Sequence, residues 1–244
     1  YNNGVAGGQS VARTLTGTGA LPASLNIASA DPFPFGNVTV GSSASTPLTV
    51  SNTGGASATL ISEITLAAPY RFTGGGGFPG AGGTCTPTLI STGNCLIHIE
   101  YTPTTTGIHN GTVTLQYFDG ASTQLLPLGL QGTGAGPAQL TITEIDPYDF
   151  GVIAIGASSS RIFTITNIGG SDATGVTEVG LSAPYGYTGG GLYPGAGGNC
   201  GGTIIAGANC TIDLAFTPVL PAGVFPDTID ISYNDGAGPQ NTQR

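Results

Sequence analysis

The feature that most constrains this chain is an internal repeat with a period of 115 to 116 residues that runs through its length. The segment FGNVTVG at residues 35–41 returns as FGVIAIG at residues 150–156. Further matches pair residues 52–55 with 167–170, 68–70 with 183–185, 101–103 with 216–218, and 117–120 with 233–236. Self-similarity of this extent predicts two copies of one domain.

Within each copy, apolar and polar residues alternate with the period of two that is typical of strands. One predicted core face carries Cys95, Ile97, Ile99 and Tyr101 in the first copy, and Cys210, Ile212, Leu214 and Phe216 in the second. Short strands, many Gly, Pro and Asn turns and no helical stripe predict an all-β fold. We therefore expect two tandem immunoglobulin-like antiparallel β-sandwiches.

The phase of the repeat predicts the domain boundaries. Residues 20–134 form the first immunoglobulin-like repeat and residues 135–244 the second, with a truncated last strand, because residues 15–19 match 130–134 but nothing after Arg244 does. Residues 1–19 are then the terminal strand of a preceding repeat or a donor strand. Unpaired sheet edges recruit strands, so a donor strand from one subunit would complete the next.

The composition excludes several classes of function. The chain has four Arg, no Lys and 13 acids, so its net charge is −9. The sequence lacks the Lys- and Arg-rich surface that nucleic-acid binding requires, and anionic membrane surfaces would repel the chain. No apolar run approaches 18 residues, so we expect no direct membrane insertion. With 39% hydrophobic and 7% charged residues, the chain is expected to fold.

The four cysteines fall as one C-x9-C pair in each copy, Cys85 with Cys95 and Cys200 with Cys210. This pattern favours two disulfides formed in an oxidising compartment, and hence an exported protein at the cell surface or outside the cell. Reduced structural thiols are the alternative. Zinc is disfavoured because neither pair has the short spacing of a zinc site.

Several of these motifs together resemble a known family. They are the FG-x-V-x-V-G opening, the Asn-Thr-Gly-Gly strand end, the Ala-Pro-Tyr segment, the Cys pair before Tyr-Thr-Pro and the closing Gly-Thr-Gly. In this order they resemble the bacterial choice-of-anchor D repeats, relatives of the ASH (abnormal-spindle and hydin-like) domains. The resemblance covers both copies and implies an immunoglobulin-like sandwich in a secreted or surface-attached bacterial repeat protein, with no enzymatic activity.

Catalysis is not expected from the residues either. The only histidines are His98 and His109, and the second copy has Asp213 and Phe225 at those positions. A hydrolytic triad needs a histidine between a nucleophile and an orienting acid. We therefore predict no catalytic residue, no cofactor and no metal.

Two acids near the domain junction, Asp146 and Asp149, have two interpretations. One is a Ca²⁺ site, since calcium prefers oxygen ligands. The first copy has Asp31 and Pro34 there, so one acid is missing. Solvated turn residues are the favoured interpretation.

Two glycine-rich loops, residues 73–83 and 188–198, precede the Cys pairs. The favoured interpretation is a turn-rich loop pinned by the adjacent cysteine. The alternative is a contact surface, because loops carry binding in sandwich folds. Its candidate residues are Tyr70, Arg71, Phe78, Tyr185, Tyr187 and Tyr193.

We expect the chain to be a structural repeat module of an exported stalk or extracellular fibre, which acts as a spacer and can add adhesion. Its expected partners are neighbouring repeats or identical subunits, head to tail. One alternative is an adhesin that binds glycan or protein through the aromatic loops. The other is a filament subunit that assembles by donor-strand complementation.

Overall fold

The structure is a computed structural model that describes Gly4 and residues 11–244. Residues 11–24 form no strand in the single molecule, and residues 11–22 are exposed. The predicted terminal strand within residues 1–19 therefore lies partly outside the described residues. A donor strand pairs only with a partner, so that role stays a prediction.

Strands make up almost all of the regular structure, because β-branched and aromatic residues alternate with polar ones between glycine and proline turns. In the first repeat they are β1 (Leu25–Ile27), β2 (Phe33–Thr39), β3 (Ala44–Asn52), β4 (Ala58–Glu63), β5 (Tyr70–Phe72), β6 (Thr88–Leu89), β7 (Asn94–Tyr101), β8 (Gly107–Phe118) and β9 (Thr123–Ala135). In the second repeat they are β10 (Leu140–Ile142), β11 (Ser159–Asn167), β12 (Ala173–Glu178), β13 (Tyr185–Tyr187), β14 (Thr203–Ile204), β15 (Asn209–Phe216), β16 (Asp230–Asn234) and β17 (Pro239–Gln243).

Each repeat forms two sheets. The first repeat has one sheet in the order β1-β3-β7-β5 and a second in the order β2-β9-β8-β4-β6. The second repeat has β10-β11-β15-β13 and β14-β12-β16-β17. The predicted all-β fold of two tandem immunoglobulin-like sandwiches is confirmed. Throughout the described residues the one helical element is a single 3₁₀ turn, Thr73–Gly75.

The core of each sandwich lies between its two sheets and contains the predicted inward faces. Ile97, Ile99 and Tyr101 of β7 are fully buried, as is Ile212 of β15, and Leu214 of β15 is nearly so. The strands β3 and β7 pair antiparallel with Val50 opposite Cys95, and β11 and β15 repeat this register with Ile165 opposite Cys210. The alternation therefore predicted the correct face of each central strand.

One pairing in the first repeat has no equivalent in the second. The strand β2 pairs parallel with residues 130–135 of β9, and β8 pairs antiparallel with the same stretch. Within residues 135–244, β17 (Pro239–Gln243) is the counterpart of the first part of β9. Its second sheet consequently has four strands where the first repeat has five. In the described part of the chain, no helix has the length and apolarity needed to cross a membrane.

Candidate functional site

The cysteines form two disulfides, each within one repeat. Cys85 is bonded to Cys95 with a Cα–Cα distance of 4.8 Å, and Cys200 to Cys210 with one of 4.9 Å. Each bond ties the end of a glycine-rich loop to the first residues of a central strand, β7 or β15. Two such bonds indicate an oxidising compartment.

The aromatic residues of the loops pack inward. Tyr70 is 2% exposed, stacks on Tyr101 at a ring distance of 5.0 Å, and donates its hydroxyl hydrogen to the carbonyl of His109 at 2.8 Å. Tyr185 makes the matching bond to the carbonyl of Phe225 at 2.7 Å. These placements correct the assignment of Tyr70 to a contact surface: its ring is part of the core and offers no face to a ligand.

The other loop aromatics also contact their own cores. Phe78 meets Phe72 edge to face at 5.9 Å, and Tyr193 meets Tyr187 in the same way at 5.9 Å. Burial raises the pKa of Tyr193 to about 12. The pKa of Tyr187 is raised as well, first by burial and then by the negative charge of Glu178. These rings hold the loops against the sandwiches.

Arg71 is the one candidate loop residue with an exposed charge. Its Nε donates to a carboxylate oxygen of Glu100 at 2.8 Å. Hydrogen bonding to Arg71 is the main cause that lowers the pKa of Glu100. An exposed pair of this kind links two neighbouring strands, β5 and β7, and contributes little to stability.

The histidines and the matching residues have structural contacts. A ring nitrogen of His109 lies 2.6 Å from the Tyr101 hydroxyl and the other lies 3.0 Å from that of Thr105. In the second repeat, Asp213 accepts a hydrogen bond from Thr188 at 2.6 Å and so holds the glycine-rich loop. Each contact is local to one repeat, as expected for residues that shape a loop or a strand end.

The proposed calcium ligands do not converge. Asp149 accepts the backbone N–H of Gly151 at 2.7 Å, and Asp146 is exposed. Among the residues that the structure describes, no group of three or more His, Cys, Asp or Glu side chains is placed to hold a metal ion. Asp146 lies in a bend, and Asp149 lies outside the strands.

The junction between the repeats is a short linker held by the second domain. The N–H of Gln139 donates to the side-chain oxygen of Asn167 at 3.1 Å, and the N–H of Leu140 donates to the Tyr233 hydroxyl at 3.3 Å. A Cβ at Gly169 would lie 2.3 Å from the carbonyl oxygen of Pro137. Only glycine lets the linker approach so closely, which explains the Asn-x-Gly-Gly motif.

Hydrogen bonds also cross the junction directly. Ser171 donates its one hydroxyl hydrogen to the carbonyl of Gly136 at 2.8 Å. In the 2.7 Å contact between the Thr39 and Ser171 hydroxyls, Thr39 is therefore the donor. The Ser42 hydroxyl donates to the carbonyl of Gly236 at 2.5 Å. The end of β2 and the turn that follows it are therefore bonded to two loops of the second domain.

A groove opens in the second domain at the place where β9 runs in the first. Its two walls are residues 148–154, the counterpart of β2, and residues 223–228, the counterpart of the first half of β8. Both segments lie in the described part of the chain, and neither belongs to a strand. We call this feature the acceptor groove.

The floor of the acceptor groove is apolar. Phe163, Leu214 and Ile229 contribute to a cavity of about 80 Å³, which Tyr148 and Asp227 line from the two walls. The Arg161 guanidinium carbon lies 5.4 Å from the centre of the Tyr148 ring. The cavity is therefore about the size of an aliphatic side chain.

Arg244 closes one end of the groove. It occupies the repeat position of Leu128, and its backbone N–H and carbonyl both bond to Ile229, at 3.0 and 2.8 Å. Its side chain donates to the carbonyl of Glu144. Sequence reasoning predicted that the second copy, up to Arg244, includes no counterpart of residues 130–134, but it did not identify the lining residues Tyr148, Asp227 and Arg244. Matching each inward residue of β9 to its neighbours in the other copy would have found them.

Comparisons with known proteins give likenesses of fold. No protein-family model matches the chain, and no curated protein matches it. Among solved structures, it is similar to an ASH/PapD-like domain of human CEP192, with 17% identity over 52% of this chain and 95% of that one and a TM-score of 0.35. It is also similar to a protein of unknown function from Porphyromonas gingivalis W83, with 13% identity over 90% of this chain and 97% of that one and a TM-score of 0.38.

A third likeness is to the I-band fragment I67-I69 from titin. The identity is 12%, over 93% of this chain and 65% of that one, with a TM-score of 0.36. At these identities the likenesses concern the fold alone.

Proposed function

We propose that this chain is a structural module that holds its neighbours at a fixed spacing in an exported stalk or extracellular fibre, without catalysis. The observation that carries the proposal is the junction, where Thr39 and Ser42 of the first domain bond to the second. A short linker with hydrogen bonds between the two domains beside it leaves the two sandwiches little freedom to rotate relative to each other. An array of such units would keep a regular repeat distance.

Two further observations support spacing over ligand binding. The rings expected on a contact surface pack against the cores, with Tyr70 and Phe78 in contact with Tyr101 and Phe72. The disulfides fit an exported protein, where they persist and stabilise small domains.

The proposal is tested by the relative orientation of the two domains in solution. Residual dipolar couplings of the full chain should fit a single alignment tensor for both domains, and small-angle scattering should match one interdomain distance. Thr39→Ala with Ser171→Ala should broaden that distance distribution, because the variant removes the bonds of Thr39 and Ser171 and leaves only that of Ser42 to Gly236 across the junction. Thr49→Ala, on the exposed face of β3, is the matched control and should change nothing. Domains that align independently in the parent chain would refute a spacing role.

A further inference from the structure

We propose that two copies of this chain pair side by side through the outward face of one sheet of the first domain, the sheet of β2, β9, β8, β4 and β6. The proposal goes beyond spacing, which concerns the two domains of one chain. It assigns an interaction surface within the first domain, whereas the acceptor groove belongs to the second. It also assigns the partner, which is the same face of a second copy.

The outward face of this sheet carries large apolar side chains that are open to solvent. Along β8, Leu115 and Tyr117 are buried, so Gln116 and Phe118 point away from the core. On β9, Leu125 lies directly opposite Gln116 and is 59% exposed. Residues directly opposite each other on paired strands lie on the same side of the sheet. We use the name apolar face for Leu60, Ile64, Phe118, Leu125 and Pro127.

Pro127 and Ile64 extend the face toward β4. Pro127 is exposed and lies opposite Thr114. The N–H of Ile64, the residue after β4, donates to the carbonyl of the same Thr114 at 3.1 Å, and Ile64 is 48% exposed. The apolar face therefore continues without a break across three neighbouring strands, β9, β8 and β4. Contiguous exposed apolar patches of this kind mark interaction sites.

Leu60 is exposed at a backbone position that disfavours it. The register between β4 and β8 shifts by one residue after Thr59, which is a β-bulge. Leu60 occupies the bulge with a φ of 55° and is 71% exposed. The second repeat has the same bulge with Gly175 at a φ of 62°. Glycine adopts positive φ without the steric strain that a side chain brings, so the first repeat displays a strained leucine where glycine fits the fold. Strained residues cluster at functional sites.

The corresponding sheet of the second domain lacks an apolar face. Four of the five positions have small or polar residues there, namely Gly175, Asn234, Asn241 and Gln243. Asp230 adds a carboxylate at the position of Thr114. Because both repeats form the same kind of sandwich with these different residues, the core does not require apolar side chains on this face.

The charge of the molecule identifies the partner. The chain carries a net charge of −9, so two copies repel each other over most of their surface. Among the residues of the five strands, the only Asp, Glu, Lys or Arg is Glu63, and its carboxylate accepts the backbone N–H groups of Thr65 and Leu66. The apolar face can therefore pack against itself without burying a charge or opposing like charges. A charged partner would find nothing on it to pair with.

The size of the sheet fits a reversible dimer. The strands β2, β9, β8, β4 and β6 hold 7, 13, 12, 6 and 2 residues. With a rise of about 3.4 Å per residue and about 4.8 Å between strands, the sheet covers about 650 Å². Each partner of a stable complex buries about 600–1,000 Å². The area therefore lies at the lower end of the range for specific complexes.

A face that packs against itself makes a twofold contact, which closes as a dimer. Two sheets in such a contact lie about 10 Å apart with their strands about 30° from parallel. Each member of the apolar face then contributes twice, once from each copy.

The test is the association state of the full chain, measured by sedimentation equilibrium over a concentration series. The parent should pass from monomer to dimer with a dissociation constant of about 10–100 µM, in keeping with the modest area. Raising the NaCl concentration from about 50 mM to about 500 mM should tighten the dimer, because salt screens the repulsion between two negative chains and the apolar face has no ion pair to weaken.

Leu60→Gly separates docking from folding. Because Gly175 forms the same bulge, the variant should fold, and its first domain should be no less stable than that of the parent. This stability is measured at about 1 µM, where the chain is monomeric. A twofold contact loses the side chain from both copies, so the dimer should weaken by about tenfold.

Phe118→Asn and Leu125→Asn introduce the residues that the second repeat has at these positions. Added to Leu60→Gly, they should weaken the dimer by about a hundredfold or more. Ile162→Asn makes the same type of change at an exposed residue of β11 in the second domain, is the matched control and should pair like the parent. The interdomain distance within one chain should be the same in the monomeric triple variant as in the parent. A change in that distance concerns spacing, and a change in association concerns the apolar face, so the two proposals fail separately.

Nuclear magnetic resonance locates the contact. As the parent is concentrated, the methyl signals of Leu60 and Leu125 should shift and those of Ile162 should not. Mixtures of labelled and unlabelled chains should show nuclear Overhauser contacts between copies at the same two leucines.

Any of four outcomes would overturn the assignment. The first two are a parent that stays monomeric at every concentration and a dimer that survives the triple substitution. The third is a set of concentration-dependent shifts that lies outside the apolar face. The fourth is oligomers that grow beyond two copies with concentration, which would show a head-to-tail contact in place of the twofold one.

Discussion

The two domains differ most at a segment where the second has the better strand sequence. Residues 35–39 (FGNVT) form most of β2, whereas the corresponding residues 150–154 (FGVIA) form no strand, although Val and Ile replace Asn and Val and only Ala154, in place of Thr39, is a weaker strand former. The first segment is paired with residues 130–135 of β9, and the second has no such neighbour. Strand formation here depends on the presence of a partner more than on local propensity, which is a weak preference of pleated, half-buried surfaces.

Side-chain packing persists where the backbone pairing is lost. The Phe35 ring lies 5.5 Å from that of Tyr70 and 5.6 Å from that of Tyr101. The Phe150 ring keeps both contacts in the second domain, each at 5.8 Å, with Tyr185 and Phe216. The wall of the acceptor groove is therefore anchored by its aromatic side chain while its backbone stays open.

The largest expected difference between the domains is their stability. Leu128 and Leu130 are buried in the first domain, and burying two such side chains contributes about 3–6 kcal/mol to the free energy of unfolding. In a chain of residues 1–244 alone, we expect the second domain to be less stable than the first by an amount of this size and to unfold at a lower denaturant concentration. Hydrogen exchange in increasing denaturant, followed at Ile99 and Leu214, measures the two domains independently. A single transition shared by both residues would contradict the prediction.

A second experiment removes the strand contact from the first domain. Leu130→Ala should destabilise that domain by about 2–5 kcal/mol, because it leaves a cavity at the position that the second domain leaves open. Leu125→Ala is the matched control on the same strand, since Leu125 is 59% exposed, and it should change the free energy of unfolding by less than about 0.5 kcal/mol. Chemical denaturation checks both. Equal costs would mean that the register of β9 is wrong.

A third experiment tests a feature in which the domains agree. The two disulfides close loops with the same sequence separation of 10 residues. Replacing Cys85 and Cys95 together by Ala should cost the first domain about 2–3 kcal/mol, and replacing Cys200 and Cys210 should cost the second domain as much. Domain-resolved hydrogen exchange measures each loss. A cost confined to one domain would show that the bonds do not have equivalent roles.

The sequence was sufficient to predict the features that depend on local alternation and on the repeat. The inward faces of β7 and β15 followed from the period of two, and the disulfide pairs followed from their spacing and equal placement. The contacts of the loop aromatics did not follow, because Tyr70 packs on Tyr101 across two strands that are distant in sequence. Their exposure depends on tertiary packing that composition and glycine content do not encode.

The acceptor groove was only partly predictable. The phase of the repeat shows that residues 135–244 include no counterpart of residues 129–135. It does not show that residues 148–154 and 223–228 stay apart with a cavity between Tyr148 and Asp227. Whether a sandwich collapses over a missing strand depends on how its remaining side chains pack.

The smallest expected effect concerns alkaline pH and comes from two positions where the domains differ. The second domain has Tyr187 and Tyr193 where the first has Phe72 and Phe78. Burial raises the pKa of Tyr193 to about 12 and also raises that of Tyr187. A tyrosine in an unfolded chain titrates near pH 10, so folding favours the protonated hydroxyls. Their stabilising contribution is complete below about pH 10 and is lost as the pH rises through the folded-state pKa.

The second domain should therefore lose the contribution of these two hydroxyls as the pH rises above about 10. The first domain loses a contribution of its own, because burial also raises the pKa of Tyr70 to about 12 and raises that of Tyr101, so each domain is compared with its own variant. Tyr187→Phe with Tyr193→Phe should raise the pH midpoint of alkaline unfolding, measured by circular dichroism together with tyrosinate absorbance. Phe78→Tyr makes the converse change in the first domain and should lower its midpoint. We expect each of these substitutions to change the free energy of unfolding by less than the loss of a disulfide does, because these rings are only half-buried and solvent screens part of the charge. If all three chains unfold at the same pH, the hydroxyls of Tyr187 and Tyr193 ionise without opening the loop, and the glycine-rich loops of the two domains are equivalent despite their different rings.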